Sequence, residues 1–195
     1  MMKNPKQTEM TQKNFQEAFW TLYSKQNLDK ITVKDLCNLA GYNRSTFYQY
    51  YTDIYHMFHK LESQLLDEIY EFVIQLVERA DQLNATQVIQ TIFELFSQNN
   101  KFISVLYGSH GDNEFKPKVV ENLKPLWIKY FFNIANFTPA EVDLLMEFNI
   151  SGIISMFQKW IYDPNGVSFE RIIQLSYQTL PNTTCFESFD KEFRK

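Results

Sequence analysis

Apolar positions recur along this chain at intervals of three and four residues. Phe15, Ala18, Phe19, Leu22 and Tyr23 follow the i, i+3, i+4, i+7, i+8 pattern, which lays one apolar stripe along a helix. "NLDK" breaks that pattern and "ITVKDLCNLA" follows it. There Thr32 stands where a capping residue is needed, with Asp35 three positions on, while Ile31 and Leu36 can close a hydrophobic staple. Gly41 ends this second helix, because glycine takes the positive φ of a tight helix exit without a steric penalty. Asn43 is then placed to cap a short third helix whose Phe47 and Tyr51 face inward. Thr52 and Asp53 are candidate caps for a long fourth helix through about Arg79, with Phe58, Leu61, Leu65, Ile69, Phe72, Leu76 and Val77 along its stripe.

Helix-start signals recur in "NATQV", "TPAEV" and "SFERI", each preceded by an apolar residue (Leu83, Phe137, Val167) that can complete a staple. Pro139 takes the first-turn position that proline favours. Pro117 and Pro125 bracket or kink another helix between Phe115 and Asn133. No sustained alternation of apolar and polar positions marks a strand, and no hairpin dipeptide occurs. The pattern predicts an all-α chain of roughly nine helices, without repeats or a low-complexity linker.

Composition narrows the reading. The 195 residues suffice for one large domain or two small ones, and a hydrophobic content of 45% argues for a substantial core and against wholesale disorder. Cys37 and Cys185 lack metal-ligand spacing, so free thiols in a reducing compartment are expected. The opening "MMKNPKQTEMTQKN" has no apolar centre of the kind a signal peptide needs, and no apolar run approaches a membrane span. A cytoplasmic protein is expected. Charge is unevenly spread: eight Lys and Arg stand against five acids over residues 1–60, a net +3, so the remainder carries −7 of the total −4. Such a basic head on an acidic body points to a polyanion at the head, though chance gives the same asymmetry.

A short capped helix, a turn built on Gly41 and a second short helix compose a helix-turn-helix, whose second helix lies across the DNA major groove. Asn43, Arg44, Ser45 and Thr46 then reach base edges, with the Arg44 guanidinium able to bridge guanine O6 and N7. Tyr48 and Gln49 project opposite the buried side, the first toward a thymine methyl or a phosphate and the second toward adenine. Tyr50 is expected to be packed.

The stretch "ITVKDLCNLAGYNRSTFYQYYTDIYHMFHKLE" resembles the DNA-binding head of the TetR family of bacterial transcriptional regulators, with its Thr-initiated helix, Ala-Gly turn and Thr-Phe-Tyr-x-Tyr aromatic run. The likeness covers about residues 10–65. It implies phosphate contact at Thr32, Lys34, Tyr48 and Tyr50, and base or backbone contact at Asn43, Arg44, Ser45, Thr46 and Gln49. Family members often carry a lysine where this chain has Ile54, and Tyr51 replaces the usual Phe. The rest resembles the family's divergent ligand-binding and dimerisation half. "FISVLYGSHGDNEFKPKVVENL" with "NISGIISMFQKWIYDPNGVSFERIIQLSYQTL" is similar to a branch that includes regulators of dihydroxyacetone kinase operons. The expected division is a head over residues 1–55 and a body over 56–195.

In the body, Ser151, Gly152 and Ser155 are small residues on adjoining turns that allow close helix approach. With Ile172 and Leu175 of the helix from Ser168 to Leu180 they form a candidate face for an isologous homodimer. Close packing within one chain uses such residues equally well. Phe72, Phe93, Phe96, Phe102, Tyr107, Trp127, Phe131, Phe148 and Trp160 could line an effector cavity, with His110 or Asn149 as polar contacts. Ordinary core packing accounts for aromatics at this spacing too. No phosphate loop, nucleophile elbow or paired carboxylates appears, so no enzyme, catalytic residue or cofactor is expected. His56, His59 and Glu62 drift around their helix and do not make a metal site. The expected function is a homodimeric regulator, a repressor, whose affinity for an operator responds to a small molecule that shifts the fourth helix. The alternative is a coactivator that answers a protein partner.

Overall fold

A computed structural model of the chain describes residues 5–79, 82–83, 86–95, 114–131 and 136–180. The described residues are helical throughout their regular elements. They are α1 (Pro5–Tyr23), α2 (Val33–Ala40), α3 (Arg44–Phe47), α4 (Ile54–Glu78), α5 (86–95), α6 (Phe115–Phe131), α7 (Pro139–Tyr162) and α8 (Phe169–Thr179), with one 3-10 turn at Leu28–Lys30. The all-α reading holds, as does a three-helix head joined to a helical body by a long fourth helix. Two compact units divide inside α4, between Leu65 and Leu66.

The first unit is built on aromatic rings. Phe15, Phe19, Trp20 and Tyr23 of α1 are buried with Leu36, Phe47, Tyr51, Met57 and Phe58. Phe19 and Tyr23 meet Phe58 at centroid distances of 6.2 and 5.6 Å, the second edge-on, geometries that the ring quadrupole favours. The staple closes, with Ile31 and Leu36 only 5% and 0% exposed. Its counterparts in the body are looser: Phe137 and Val167 remain 45% and 37% exposed. The expected caps nonetheless form there. Thr138 Oγ1 accepts from the Glu141 N–H, and the Glu141 carboxylate accepts from the Thr138 N–H at 2.7 Å, a complete capping box. Ser168 Oγ accepts from the Arg171 N–H at 3.1 Å. Asn84, the cap expected in "NATQV", lies outside the described residues.

In the second unit α6 presents Phe115, Val119, Leu123, Leu126 and Trp127, and α7 presents Val142, Met146, Ile150 and Phe157, as buried side chains. Pro125 falls inside α6 and removes a helical N–H there. Polar ties also join the two helices: Lys116 Nζ donates to Ser155 Oγ at 3.2 Å, and Lys124 pairs with Asp143. That pair holds the Lys124 ammonium above its ordinary pKa.

Gly41 carries the sharpest local requirement, with φ 77° and ψ 26° at the exit of α2. A Cβ there would meet nothing within 4 Å, so only backbone strain opposes a side chain. Gly41→Ala should therefore destabilise the head by about 1–2 kcal/mol in denaturant titrations, and Gly41→Asn by less, because asparagine tolerates this region better.

Candidate nucleic-acid interface

The second and third helices are set by short-range bonds. Thr32 Oγ1 accepts from the Asp35 N–H at 3.1 Å and donates to the Asp35 carboxylate at 2.6 Å. At the other end of α2 the Gly41 and Tyr42 N–H groups both donate to the Cys37 carbonyl. Asn43 caps α3, its Oδ1 accepting from the Thr46 N–H at 2.9 Å. The regular helix is four residues long, but donations from Tyr48 to Arg44 and from Tyr51 to Phe47 carry the coil onward.

Packing then decides which residues face solvent. Phe47 is fully buried, edge-on to Phe15 at 5.6 Å and 5.4 Å from Tyr51. Tyr42 lies 5.1 Å from Phe15, and its hydroxyl accepts from Asn14 Nδ2 at 3.1 Å. Burial, with a smaller contribution from Tyr50, pushes the Tyr51 hydroxyl up to about 12, so it stays neutral under its rings. Desolvation likewise raises the Cys37 thiol, with Arg44 opposing weakly. Thr32, Lys34, Asn43, Arg44, Ser45, Tyr48 and Gln49 are exposed, and Thr46 and Tyr50 are half-buried. Among the described residues no carboxylate pairs with Lys34 or Arg44, leaving both cations open to an incoming anion. The Thr32 hydroxyl is committed to its cap. Ile54 is 6% exposed and belongs to the core.

One element of the head escaped the sequence reading. The His56 N–H donates to Asp53 Oδ1 at 2.7 Å, and His56 Nδ1 accepts from the Thr52 N–H at 3.0 Å, leaving Nε2 to carry the ring proton. His56 thus stands where Glu or Gln stands in a capping box but accepts from Thr52, one residue ahead of the Asp53 cap, which is why the usual motif did not reveal it. Its ring stands edge-on to Tyr51 at 6.2 Å, and Lys60 Nζ lies 5.5 Å from the Tyr51 centroid on the next turn. His59 turns instead to Glu62, 3.8 Å away. Among the described residues no group of three or more His, Cys, Asp and Glu could hold a metal ion, and no helix is long and apolar enough to cross a membrane.

The body residues distribute differently from expectation. Phe148 does not line an interior: it is 75% exposed on the outward face of α7. Phe93 and Trp160 stand edge-on to Phe169 at 5.0 and 5.4 Å, so aromatic faces pack on each other there. Trp127 is buried and Phe72 half-buried. Phe96, Phe102, Tyr107 and His110 lie outside the described residues, as does the Phe131 side chain. Asn149 is 7% exposed; its Nδ2 donates to the Leu145 carbonyl, while no donor among the described residues reaches its buried Oδ1. An open groove of about 510 Å³ beside α6 and α7 is lined by Val120, Lys124, Asp143 and Met146 among others, and by none of the aromatics named for an effector. Of the small-residue face, Gly152 and Ser155 are exposed, but Ser151 is buried and donates to Glu147 at 2.6 Å. Ile172 also turns inward with Ile173, Ser176 and Tyr177, because the apolar side of α8 is centred there; Leu175 is half-buried.

A family model described as a transcriptional regulator C-terminal region, of TetR type, matches residues 83–182, just over half the chain. The chain belongs to the TetR family of transcriptional regulators. Solved structures agree on the fold. A TetR transcriptional regulator from Streptococcus agalactiae 2603V superposes with a TM-score of 0.63 at 21% identity, over 91% of this chain and 97% of that one. The fatty acid degradation regulator FadR from Bacillus halodurans gives 0.59 at 12% identity, over 91% and 95%. The dihydroxyacetone kinase operon activator DhaS reaches only 0.48 at 17% identity, over 87% and 96%, which says nothing of a branch within the family. No curated protein matches the sequence.

The start of α4 yields a pH prediction for this TetR-family chain. Donation from the His56 N–H holds the Asp53 carboxyl below its ordinary value of 3.8. The cap therefore stabilises α4 at every pH above that value and is lost as pH falls through the lower folded value. In an NMR titration the His56 amide should shift with a midpoint below 3.8, and Asp53→Asn should abolish the transition. A midpoint at or above the ordinary value would show that this bond is not made in solution.

Proposed function

We propose that this TetR-family regulator is a homodimeric, sequence-specific repressor whose α3 enters the major groove of an operator and whose DNA affinity is set by a small effector in the second unit. The observation that carries it is the α2–Gly41–α3 unit. It holds Asn43, Arg44, Ser45, Tyr48 and Gln49 outward over a buried Phe47, with the Arg44 and Lys34 charges uncompensated by any acid among the described residues. Guanidinium near the start of a recognition helix suits guanine O6 and N7, whereas Lys34 suits a phosphate. Thr32, Thr46 and Tyr50 complete the proposed surface.

Dimerisation is supported by one face of α7. Leu144, Phe148, Gly152, Ser155 and Tyr162 recur at helical spacing, and Leu144, Phe148 and Tyr162 are 73%, 75% and 57% exposed. Two large apolar side chains side by side in water form a patch of the kind that interfaces cover. A two-fold axis across this helix would bury it against its own copy, with Gly152 permitting close approach. Support for an effector is the Asn149 Oδ1, a buried acceptor that a ligand donor would satisfy. An effector changes DNA affinity only if it binds the DNA-competent and DNA-incompetent arrangements unequally.

Three substitutions test this reading. Phe148→Glu should give monomers in light scattering at unchanged helical content, since the side chain touches little of its own chain, and DNA affinity should fall with the dimer. An intact dimer would put the interface elsewhere. Arg44→Ala should cost about 1–3 kcal/mol of operator binding per half-site and relax selectivity at one base pair. Lys34→Ala should instead weaken all duplexes about equally and reduce the salt slope by about one. Undiminished affinity and selectivity in Arg44→Ala, measured by fluorescence anisotropy on a selected duplex, would remove Arg44 from direct readout.

A further inference from the structure

We infer that α7 pairs antiparallel with α7 of a second copy in one register, with Phe148 seated on Gly152, Leu144 on Ser155 and Glu141 beside Lys159. The inference rests on the homodimer reading above and adds to it the direction and register of the pairing.

Among the described residues nothing accounts for Gly152. Glycine inside a helix costs stability relative to alanine, because its backbone has more freedom to lose. Close packing against a neighbour usually explains such a residue, yet Gly152 is exposed and a Cβ there would meet nothing within 4 Å. Nor does its backbone take the positive φ that favours glycine. The gap above it is therefore free to seat a side chain from outside. One turn earlier stands Phe148, its ring left largely in water.

The same division runs along the whole exposed stripe. Toward the N-terminus α7 exposes Glu141, Leu144 and Phe148, and toward the C-terminus Gly152, Ser155 and Lys159. Counted from position 150, the members of each half stand two, five or six, and nine residues away. An antiparallel two-fold centred there lays each large side chain on a small one and a carboxylate beside an ammonium. Small residues at the crossing let the axes approach to about 8 Å, at the shallow angle of about 20° that keeps two helices in contact over several turns. A parallel pairing would instead set Phe148 on Phe148 and Lys159 on Lys159. Both charges are available to a partner. Lys159 makes no ion pair among the described residues, and Glu141 bonds Thr138 through one carboxylate oxygen, leaving the other. Each charge also suits the dipole of its own helix end, and antiparallel pairing lets it serve the second copy as well.

The test uses the full-length protein with Cys37 and Cys185 replaced by alanine. Glu141→Cys and Lys159→Cys should each stay uncrosslinked under mild oxidation, because like positions of the two copies would lie about 27 Å apart. In the double variant each cysteine faces the other kind across the interface, and a disulfide-linked dimer should appear on nonreducing gels. A bond within one chain cannot mimic it, since the two positions lie about five turns apart on a single helix. Gly152→Leu should keep its helical circular-dichroism signal, leucine being the better helix former. With its seat filled, that variant should dimerise roughly tenfold more weakly in sedimentation equilibrium. No crosslink in the double variant, a crosslink in either single variant, or an unchanged affinity in Gly152→Leu overturns the register and leaves the homodimer reading standing. A wild-type chain that stays monomeric, or a dimer that survives Phe148→Glu, overturns both.

Discussion

The seat of Phe47 governs what the head can present. A four-residue helix forms too few hydrogen bonds to offset its own ordering, so α3 exists because something outside it holds the chain in place. That is the Phe47 ring, fully buried and bounded by Phe15 and Tyr51. Once this side chain points inward, the helical period sends Asn43, Arg44, Ser45, Tyr48 and Gln49 outward without further instruction. Losing the ring would cost about 3–5 kcal/mol of packing, and with it the orientation of the whole exposed surface. The left-handed Gly41 sets the direction from which α3 arrives, and the Asp53 and His56 bonds fix the direction in which α4 leaves.

The head could be read from the sequence almost completely because its determinants are local. Thr32 with Asp35, Asn43 with Thr46, and Gly41 at a helix exit each act over three or four residues, and each appears as expected. What escaped was His56, an imidazole standing where a carboxylate or amide usually serves the same end. Tertiary circumstance decides more in the body. Ile172 and Leu175 are both apolar on one short helix, and only the placement of α8 against its neighbours shows that Ile172 is interior. Phe148 and Ile150 lie two residues apart on α7, one 75% exposed and the other 1%. Because α7 carries apolar residues on opposite sides, its period cannot say which side faces the core. An aromatic there reads equally well as pocket, core or interface.

The two sides of α7 are not independent. Lys116 and Lys124 of α6 reach across to Ser155 and Asp143, tying the helices together by polar bonds at the margins of their apolar contact. Those bonds are exposed and individually worth little. Burial of Val142, Met146, Ile150 and Phe157 on the opposite side sets the rotation of α7 about its axis, and so keeps Leu144 and Phe148 outward, with these bonds at the edges of that contact. A helix apolar on both sides needs such a constraint if one side is to remain available.

If the α2–α3 surface reads DNA as proposed, its scarcity of charge has a consequence for selectivity. Between Ile31 and Asp53 the chain has two cations, Lys34 and Arg44, against the acids Asp35 and Asp53. Ile54 at the start of α4 is buried and adds no charge to that surface. Non-specific affinity for duplex DNA comes chiefly from counterion release and scales with the number of phosphates neutralised. The stretch from Ile31 to Asp53, with two cations, would gain little of it. On that proposal, discrimination comes from groups that prefer one base edge to another, and from two copies of the head acting on one duplex. The outward residues of α3 and the exposed face of α7 are linked, on that proposal, by a single physical requirement: a weakly charged reader has to be both particular and paired.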